Sequence, residues 1–151
     1  MMSREREIGM TIKQLSNFYT RFMDKARKNA NRKVGSKDES ITRLQGWIID
    51  YLYVTAEPVF QKDIETEFSI RHSTVSKTLK HMEEAGLVLR TIRDGDARYK
   101  LISLTESAKR NHPLAAAEFL RAEEKATEGI RRKDLDTFLS VAGKIIKNLE
   151  K

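Results

Sequence analysis

Residues 69–105 read SIRHSTVSKTLKHMEEAGLVLRTIRDGDARYKLISLT, and the fold is decided within them. Val75, Leu79 and Met82 fall at i, i+4 and i+7, which puts three apolar side chains on one face of a helix over 71–85. Gly86 follows as the left-handed residue that ends a helix. Leu87 to Ile92 (LVLRTI) is a strand, rich in residues suited to a pleated surface. Residues 93–98 carry a central Asp-Gly turn, and Tyr99 to Leu104 (YKLISL) is the return strand. Thr105 is placed to cap the helix that comes next.

Upstream, Ser69-Ile70 makes a tight turn after a short helix over 60–68 with Ile64 inward, and Pro58 ends the linker before it. The preceding helix, capped by Ser40, turns Ile41, Leu44, Ile48, Tyr51 and Leu52 inward. Ile8, Ile12, Leu15, Tyr19, Phe22 and Ala26 alternate spacings of three and four, one face of a long amphipathic helix over 8–26. Residues 29–40 are polar, contain Gly35 and read as a loop. Downstream, a helix runs from Thr105 to about Glu128, and Pro113 is expected to kink or restart it. Gly129 breaks that helix. A last helix over 131–149 lines up Leu135, Phe138, Leu139, Ala142, Ile145, Ile146 and Leu149. The fold class is mainly α with a small β part (α+β): a winged helix-turn-helix with a two-stranded wing, plus long N- and C-terminal helices.

The chain has 151 residues and a mass of 17.5 kDa, a single-domain length. Lys and Arg number 29 against 22 Asp and Glu, a net charge of +7, which favours polyanion partners. There are 0 cysteines, so disulfides, thiolate zinc sites, Cys nucleophiles and thiol redox switches are excluded. No apolar run approaches the roughly 20 residues that span a bilayer. Residues 1–7 lead into no apolar signal core, so a soluble, cytoplasmic protein is expected. His72, His81 and His112 lie on separate features, and there is no HExxH pattern or Gly-rich phosphate loop. Neither an enzyme nor a metal or cofactor is expected.

The charge is unevenly spread. Residues 21–37 carry Arg21, Lys25, Arg27, Lys28, Arg32, Lys33 and Lys37 against Asp24 alone, and residues 71–81 carry Arg71, Lys77 and Lys80 with no acid. A run of this kind is often a solvated helix face, and the first could also suit a membrane surface. The second coincides with the outward side of the helix fixed by Val75, Leu79 and Met82. A helix fits the major groove of B-DNA, and short hydroxyl side chains let its backbone come close. Ser73 and Thr74 have a second reading as caps of this helix. At the turn, Asp96 can hold the Arg98 guanidinium by a charge-assisted hydrogen bond, and a narrow minor groove attracts Arg.

These residues resemble the MarR family of bacterial winged-helix transcription regulators. The matching features are Ser73-Thr74-Val75-Ser76, Glu83-Glu84-Ala85-Gly86-Leu87-Val88, the Asp96-Ala97-Arg98 wing and Leu104-Thr105-Glu106. The break at Gly129 followed by LDTFLSVAGKIIKNLEK is similar to the family's dimerisation helix. The resemblance is strongest over 60–106 and weakest in the first 35 residues.

The resemblance implies a homodimer in three parts: an N-terminal dimerisation helix (1–38), a DNA-binding lobe (40–105) and C-terminal dimerisation helices (106–151). It implies a sequence-specific regulator of double-stranded DNA, with repression as the family default, acting on a pseudo-palindromic operator. His72, Ser73, Thr74, Ser76 and Lys77 are placed at the major groove. Arg71, Lys80, Lys62 and Arg90 are phosphate contacts, and Arg93 is a weaker one. Arg98 is the wing contact, positioned by Asp96. A small aromatic or anionic effector would sit between the lobe and the dimer helices, where Phe18, Phe22, Trp47 and Tyr51 are candidate lining residues, with ordinary core packing as the competing role. The end helices each need cover for an apolar face, from a second copy or, alternatively, from each other within one chain. The competing functional class is a winged-helix protein-interaction module without specific DNA binding.

Overall fold

The computed structural model describes residues 4–33, 41–93 and 96–150, with the side chains of 4, 5, 93 and 96–98 outside that description. The elements are α1 (Arg4–Lys33), α2 (Arg43–Val54), β1 (Val59–Phe60), α3 (Gln61–Glu67), α4 (His72–Glu84), β2 (Val88–Arg93), β3 (Asp96–Leu104), α5 (Glu106–Ala126) and α6 (Arg132–Leu149). This is the winged helix-turn-helix order, flanked by long helices.

The lobe is built around α4. Val75, Leu79 and Met82 are fully buried against Ile48 of α2, Ile64 of α3 and Val88, Ile102 and Leu104 of the sheet. At roughly 1.5–3 kcal/mol for each large apolar side chain buried, this layer sets which face of α4 points outward. The turn from α3 to α4 passes through Ser69 at φ 49°, a left-handed conformation in a non-glycine residue. It is held by Ser69 N–H to the Thr66 carbonyl at 3.2 Å and Ile70 N–H to the Glu65 carbonyl at 3.0 Å.

Gly86, at φ 69°, ends α4 as expected. Leu87 N–H reaches the Met82 carbonyl at 2.8 Å and Gly86 N–H the Glu83 carbonyl at 3.0 Å, the paired bonds of a Schellman motif. That motif aims the chain directly into β2. The Thr105 hydroxyl accepts from Ala108 N–H at 3.2 Å to cap α5 and donates to the Gly86 carbonyl at 2.8 Å, so one side chain ties α5 to the end of α4.

Several expectations need correction. The wing belongs to a three-stranded antiparallel sheet in the order β1-β3-β2, with Val59 opposite Ile102 and Phe60 opposite Leu101. β1 is two residues long, too short for alternation to reveal. The short helix starts at Gln61 because Phe60 is in that strand, and Phe60 N–H donates to the Asp63 carboxylate at 2.8 Å. Helix α2 is capped by Thr42, whose hydroxyl pairs with Gln45 in a capping box. Ser40, the expected cap, lies outside the described residues, as does Gly35. Helix α1 continues through Lys33, so 29–33 are helical. Helix α5 runs unbroken through Pro113. Pro113 and Lys109, whose carbonyl loses its usual donor, both belong to the exposed side of α5, where proline costs least.

Helix α1 lies along α5, with Met23, Ala26, Ala30 and Asn31 buried beneath it. Its first half and the whole of α6 have no cover. Ile8, Ile12 and Leu15 are exposed, and no α6 residue is buried. On α6, Leu139 is 66% and Leu149 80% exposed. The two end helices therefore do not cover each other within one chain, which removes that alternative.

Ile64→Ala is expected to lower the unfolding free energy by about 2–5 kcal/mol, the range for truncating a buried aliphatic side chain. Urea denaturation followed by circular dichroism measures it.

Candidate nucleic-acid interface

With its apolar face inward, α4 exposes Ser73, Thr74, Lys77, Lys80 and His81, while Ser76 is half-buried at the edge. Arg71, exposed at the N-cap position, has no side-chain capping bond. Its carbonyl accepts from Thr74 N–H at 3.0 Å and Val75 N–H at 3.2 Å. Ser73 and Thr74 therefore stand inside the first turn and do not cap it. Their hydroxyls are presented to solvent beside Lys77, with no acid on the helix before Glu83.

Lys62, from α3, is exposed on the neighbouring element. Lys80 lies 3.9 Å from Glu84 in an exposed i, i+4 pair worth little. His72 is exposed too, but α3 brings a carboxylate to it: His72 Nδ1 stands 2.7 Å from Glu65 Oε1. The segment 71–81 contains no acid, yet the fold supplies one from outside it.

Arg90 departs from its expected role. Its Nε and Nη2 donate to Glu83 Oε2 at 2.8 and 2.5 Å, and the side chain is largely covered. The guanidinium holds the Glu83 carboxyl below the usual carboxylate range. Arg90 thus braces the end of α4 against β2 and is not poised as a free phosphate contact. The two residues face each other only because the Schellman turn folds β2 back along α4. The Asp96–Arg98 pair and Arg93 fall on side chains outside the described residues, although both backbones belong to the wing strands.

A second feature lies behind the lobe. A cavity of about 570 Å³ opens between α1, α2 and α5. Its aromatic lining is Tyr19, Trp47 and Phe119. Of the four expected lining residues only Trp47 is there. Phe18 is 65% exposed on the outer side of α1, with the Arg21 guanidinium 4.8 Å above its ring. Phe22 is half-buried outside the cavity wall. Tyr51 packs edge-on against Phe68 at 5.9 Å, completing the lobe core. The inward face of this part of α1 runs Tyr19, Met23, Arg27, Ala30, so Phe18 and Phe22 stand off it.

Polar groups enter the cavity as well. The Tyr19 hydroxyl donates to the Glu123 carboxylate, and burial together with that carboxylate pushes the phenol up. His112 Nε2 meets Asp50 Oδ1 at 2.9 Å, with the Tyr53 ring stacked 3.8 Å from the imidazole. Arg43 Nε and His112 Nδ1 are buried without a hydrogen-bond partner. Such atoms are costly to leave unmatched and suit a polar guest. Composition and periodicity do not reveal these groups, because α1, α2 and α5 meet only in the folded chain.

Among the described residues no group of three His, Asp or Glu could hold a metal, and no helix is long and apolar enough to cross a membrane.

Residues 40–98 match the family model described as MarR family. An uncharacterized HTH-type transcriptional regulator of Bacillus subtilis, YwoH, is 33% identical over 93 residues, which are 61% of this chain and 66% of that protein. The transcription regulator MarR from Oenococcus oeni is 27% identical, with a TM-score of 0.71 over 93% of this chain and 98% of that one. The S. aureus MepR–DNA complex has a TM-score of 0.73 over 98% and 99% of the two chains, and at 19% identity that likeness is one of fold. The first two of these are named as transcriptional regulators.

The cavity wall is fastened by Glu118 of α5, which pairs with Lys33 of α1 and with Arg121. Lys33 first, then Arg121, hold the Glu118 carboxyl below its ordinary range. An acid with a lowered folded-state pKa stabilises above its unfolded value, about 4.3, and loses that contribution as pH falls through the lower folded value. Acidification below about pH 4.3 is therefore expected to loosen the C-terminal end of α1 from α5. Hydrogen exchange of the α1 amides reads this, and Glu118→Gln should abolish the pH step.

Proposed function

We propose that the chain, whose residues 40–98 match the MarR family model, is a transcriptional regulator of that family that binds double-stranded DNA sequence-specifically as a homodimer. The observation that carries this reading is the outward face of α4. Ser73, Thr74 and Lys77 are exposed together beside Lys62, with no acid on the helix before Glu83. A MepR chain of the same fold has been solved with DNA, which supports DNA as the partner here. His72, Ser73, Thr74, Ser76 and Lys77 read the major groove. Arg71, Lys62 and Lys80 bind phosphates, and the wing, through Arg98 positioned by Asp96, enters the minor groove.

The homodimer reading rests on the bare apolar faces. Phe138, Leu139, Ile146 and Leu149 of α6 and Ile8, Ile12 and Leu15 of α1 form more exposed hydrophobic surface than a monomer ordinarily keeps. Residues 1–38 and 106–151 are then the dimerisation parts and 40–105 the DNA-binding lobe. Two-fold symmetry predicts a pseudo-palindromic operator with half-site centres about 10 base pairs apart. Repression, the family default, is the outcome proposed for an operator that overlaps a promoter. The cavity between α1, α2 and α5 takes a small aromatic or anionic effector, with Trp47, Tyr19 and Phe119 around it and Arg43 and His112 as polar anchors. Because its walls belong both to the lobe and to the dimer helices, a ligand that fits one spacing of the lobes better than another shifts the operator affinity.

The test is the salt dependence of binding. Lys77→Ala is expected to weaken binding and to reduce the slope of log K against log salt by about 1 for each phosphate left without its cation. Arg98→Ala should weaken binding strongly with the dimer intact. Arg90→Ala should leave the slope unchanged, because Glu83 already neutralises that guanidinium. Absence of affinity for any duplex at low salt would remove this reading in favour of a protein-interaction module.

A further inference from the structure

Helix α3 brings Glu65 against the first residue of α4. Glu65 Oε1 is 2.7 Å from His72 Nδ1, and Gln61 Nε2 is 2.9 Å from Glu65 Oε1 and 3.1 Å from the same imidazole nitrogen. These contacts cannot all be hydrogen bonds in one protonation state. An ionised carboxylate only accepts, so His72 Nδ1 must carry the proton to bond it. A protonated Nδ1 has no lone pair left for the Gln61 amide. The charged acceptor at the shorter distance prevails, and Gln61 serves the carboxylate instead. We propose that Glu65 is a positioning residue that locks the tautomer of His72, leaving Nε2 as the nitrogen offered to DNA and making its protonation a determinant of affinity and base preference. This inference rests on the DNA-binding reading of α4.

The consequence follows from what Nε2 can do in each state. In the neutral ring with Nδ1 protonated, Nε2 is an acceptor. It repels phosphate oxygens and the N7 and O6 acceptors of guanine, and in the major groove it can accept a hydrogen bond only from the amino group of adenine or cytosine. In the cation, Nε2 is a charged donor suited to phosphate or guanine. The charge balance moves in the same direction. With His72 neutral, the Glu65 carboxylate remains as an unpaired negative charge beside the DNA-facing surface. With His72 protonated, the pair is neutral overall.

Glu65 stays ionised while this happens. Gln61 first, then His72 and Lys62, hold its carboxyl below the ordinary range. The groups facing His72 are Glu65 and Gln61 from α3, with Lys62 acting on Glu65 from the same helix and Arg71 adjacent in the chain. The sequence holds two other imidazoles. His81 is nine positions further along the chain, and His112 is paired with Asp50 at the cavity. Variants at position 72 separate their effects.

The probe is the duplex that the full-length protein retains from a random-sequence pool at about pH 6, near the middle of the imidazole range. Its affinity is measured at constant salt from about pH 5.5 to 8. Wild type should lose about tenfold in affinity per protomer across that range, the scale of one charge-assisted hydrogen bond. His72→Gln should flatten the dependence. Glu65→Ala should flatten it too and bind more tightly than wild type at the alkaline end, because the unpaired carboxylate is gone. In the DNA-free protein, nitrogen-15 correlation spectra of the imidazoles should show His72 with its neutral-state proton on Nδ1, and Glu65→Ala should lose that preference.

A flat wild-type profile, or a pH step that survives His72→Gln, overturns the inference while leaving DNA binding in place. A neutral His72 carrying its proton on Nε2 overturns it as well. Failure to retain any duplex at any pH contradicts the DNA-binding reading itself and, with it, the role given to Nε2.

Discussion

Burial of Val75, Leu79 and Met82 against Ile48 and Ile64 sets the rotation of α4 about its axis, and the outward chemistry depends on that rotation. A helix turns about 100° per residue, so a one-position change in the buried set would carry Ser73, Thr74 and Lys77 away from the open side. The Schellman turn at Gly86 then delivers β2 alongside α4, and the Glu83–Arg90 pair clips the two together. Thr105 closes the circuit by tying α5 to the same glycine. Helix α4, the wing strands and helix α5 thus all meet within a few residues of Gly86.

Much of this was legible because it is local. The period of Val75, Leu79 and Met82, the glycine after the helix and the cap at Thr105 each act over a few residues and survive folding unchanged. What escaped depends on contacts distant in sequence. β1 has two residues and exists only because Val59 and Phe60 find β3. Arg90 looked like a free basic group until the fold set Glu83 against it, and the acid-free stretch 71–81 acquired Glu65 in the same way. The spacing on α1 reads as an amphipathic stripe, yet which aromatics face the cavity depends on how α1 lies on α5. Tyr19 goes in, and Phe18 stays out.

The cavity and the DNA-facing surface are linked by construction. Trp47 lines the cavity and also stacks near Phe68, 6.3 Å between centroids, at the edge of the lobe core. Gly86 and Leu87, where α4 hands over to the wing, form part of the same wall. A guest that satisfies His112 Nδ1 or Arg43 Nε acts at the junction of α2 and α5, the place from which the lobe is carried. Under the proposed function, effector response and recognition would be two consequences of one packing arrangement, coupled through rigid elements that both contact.

The account stands on two copies presenting paired α4 helices to one duplex. Hydroxyl-radical footprinting of the full-length protein on duplex retained from a random-sequence pool tests it most directly. Two symmetric protected half-sites with centres about 10 base pairs apart, flanked by protection of the adjoining minor grooves, are predicted. A single unrepeated protected site, or uniform protection without symmetry, would contradict it.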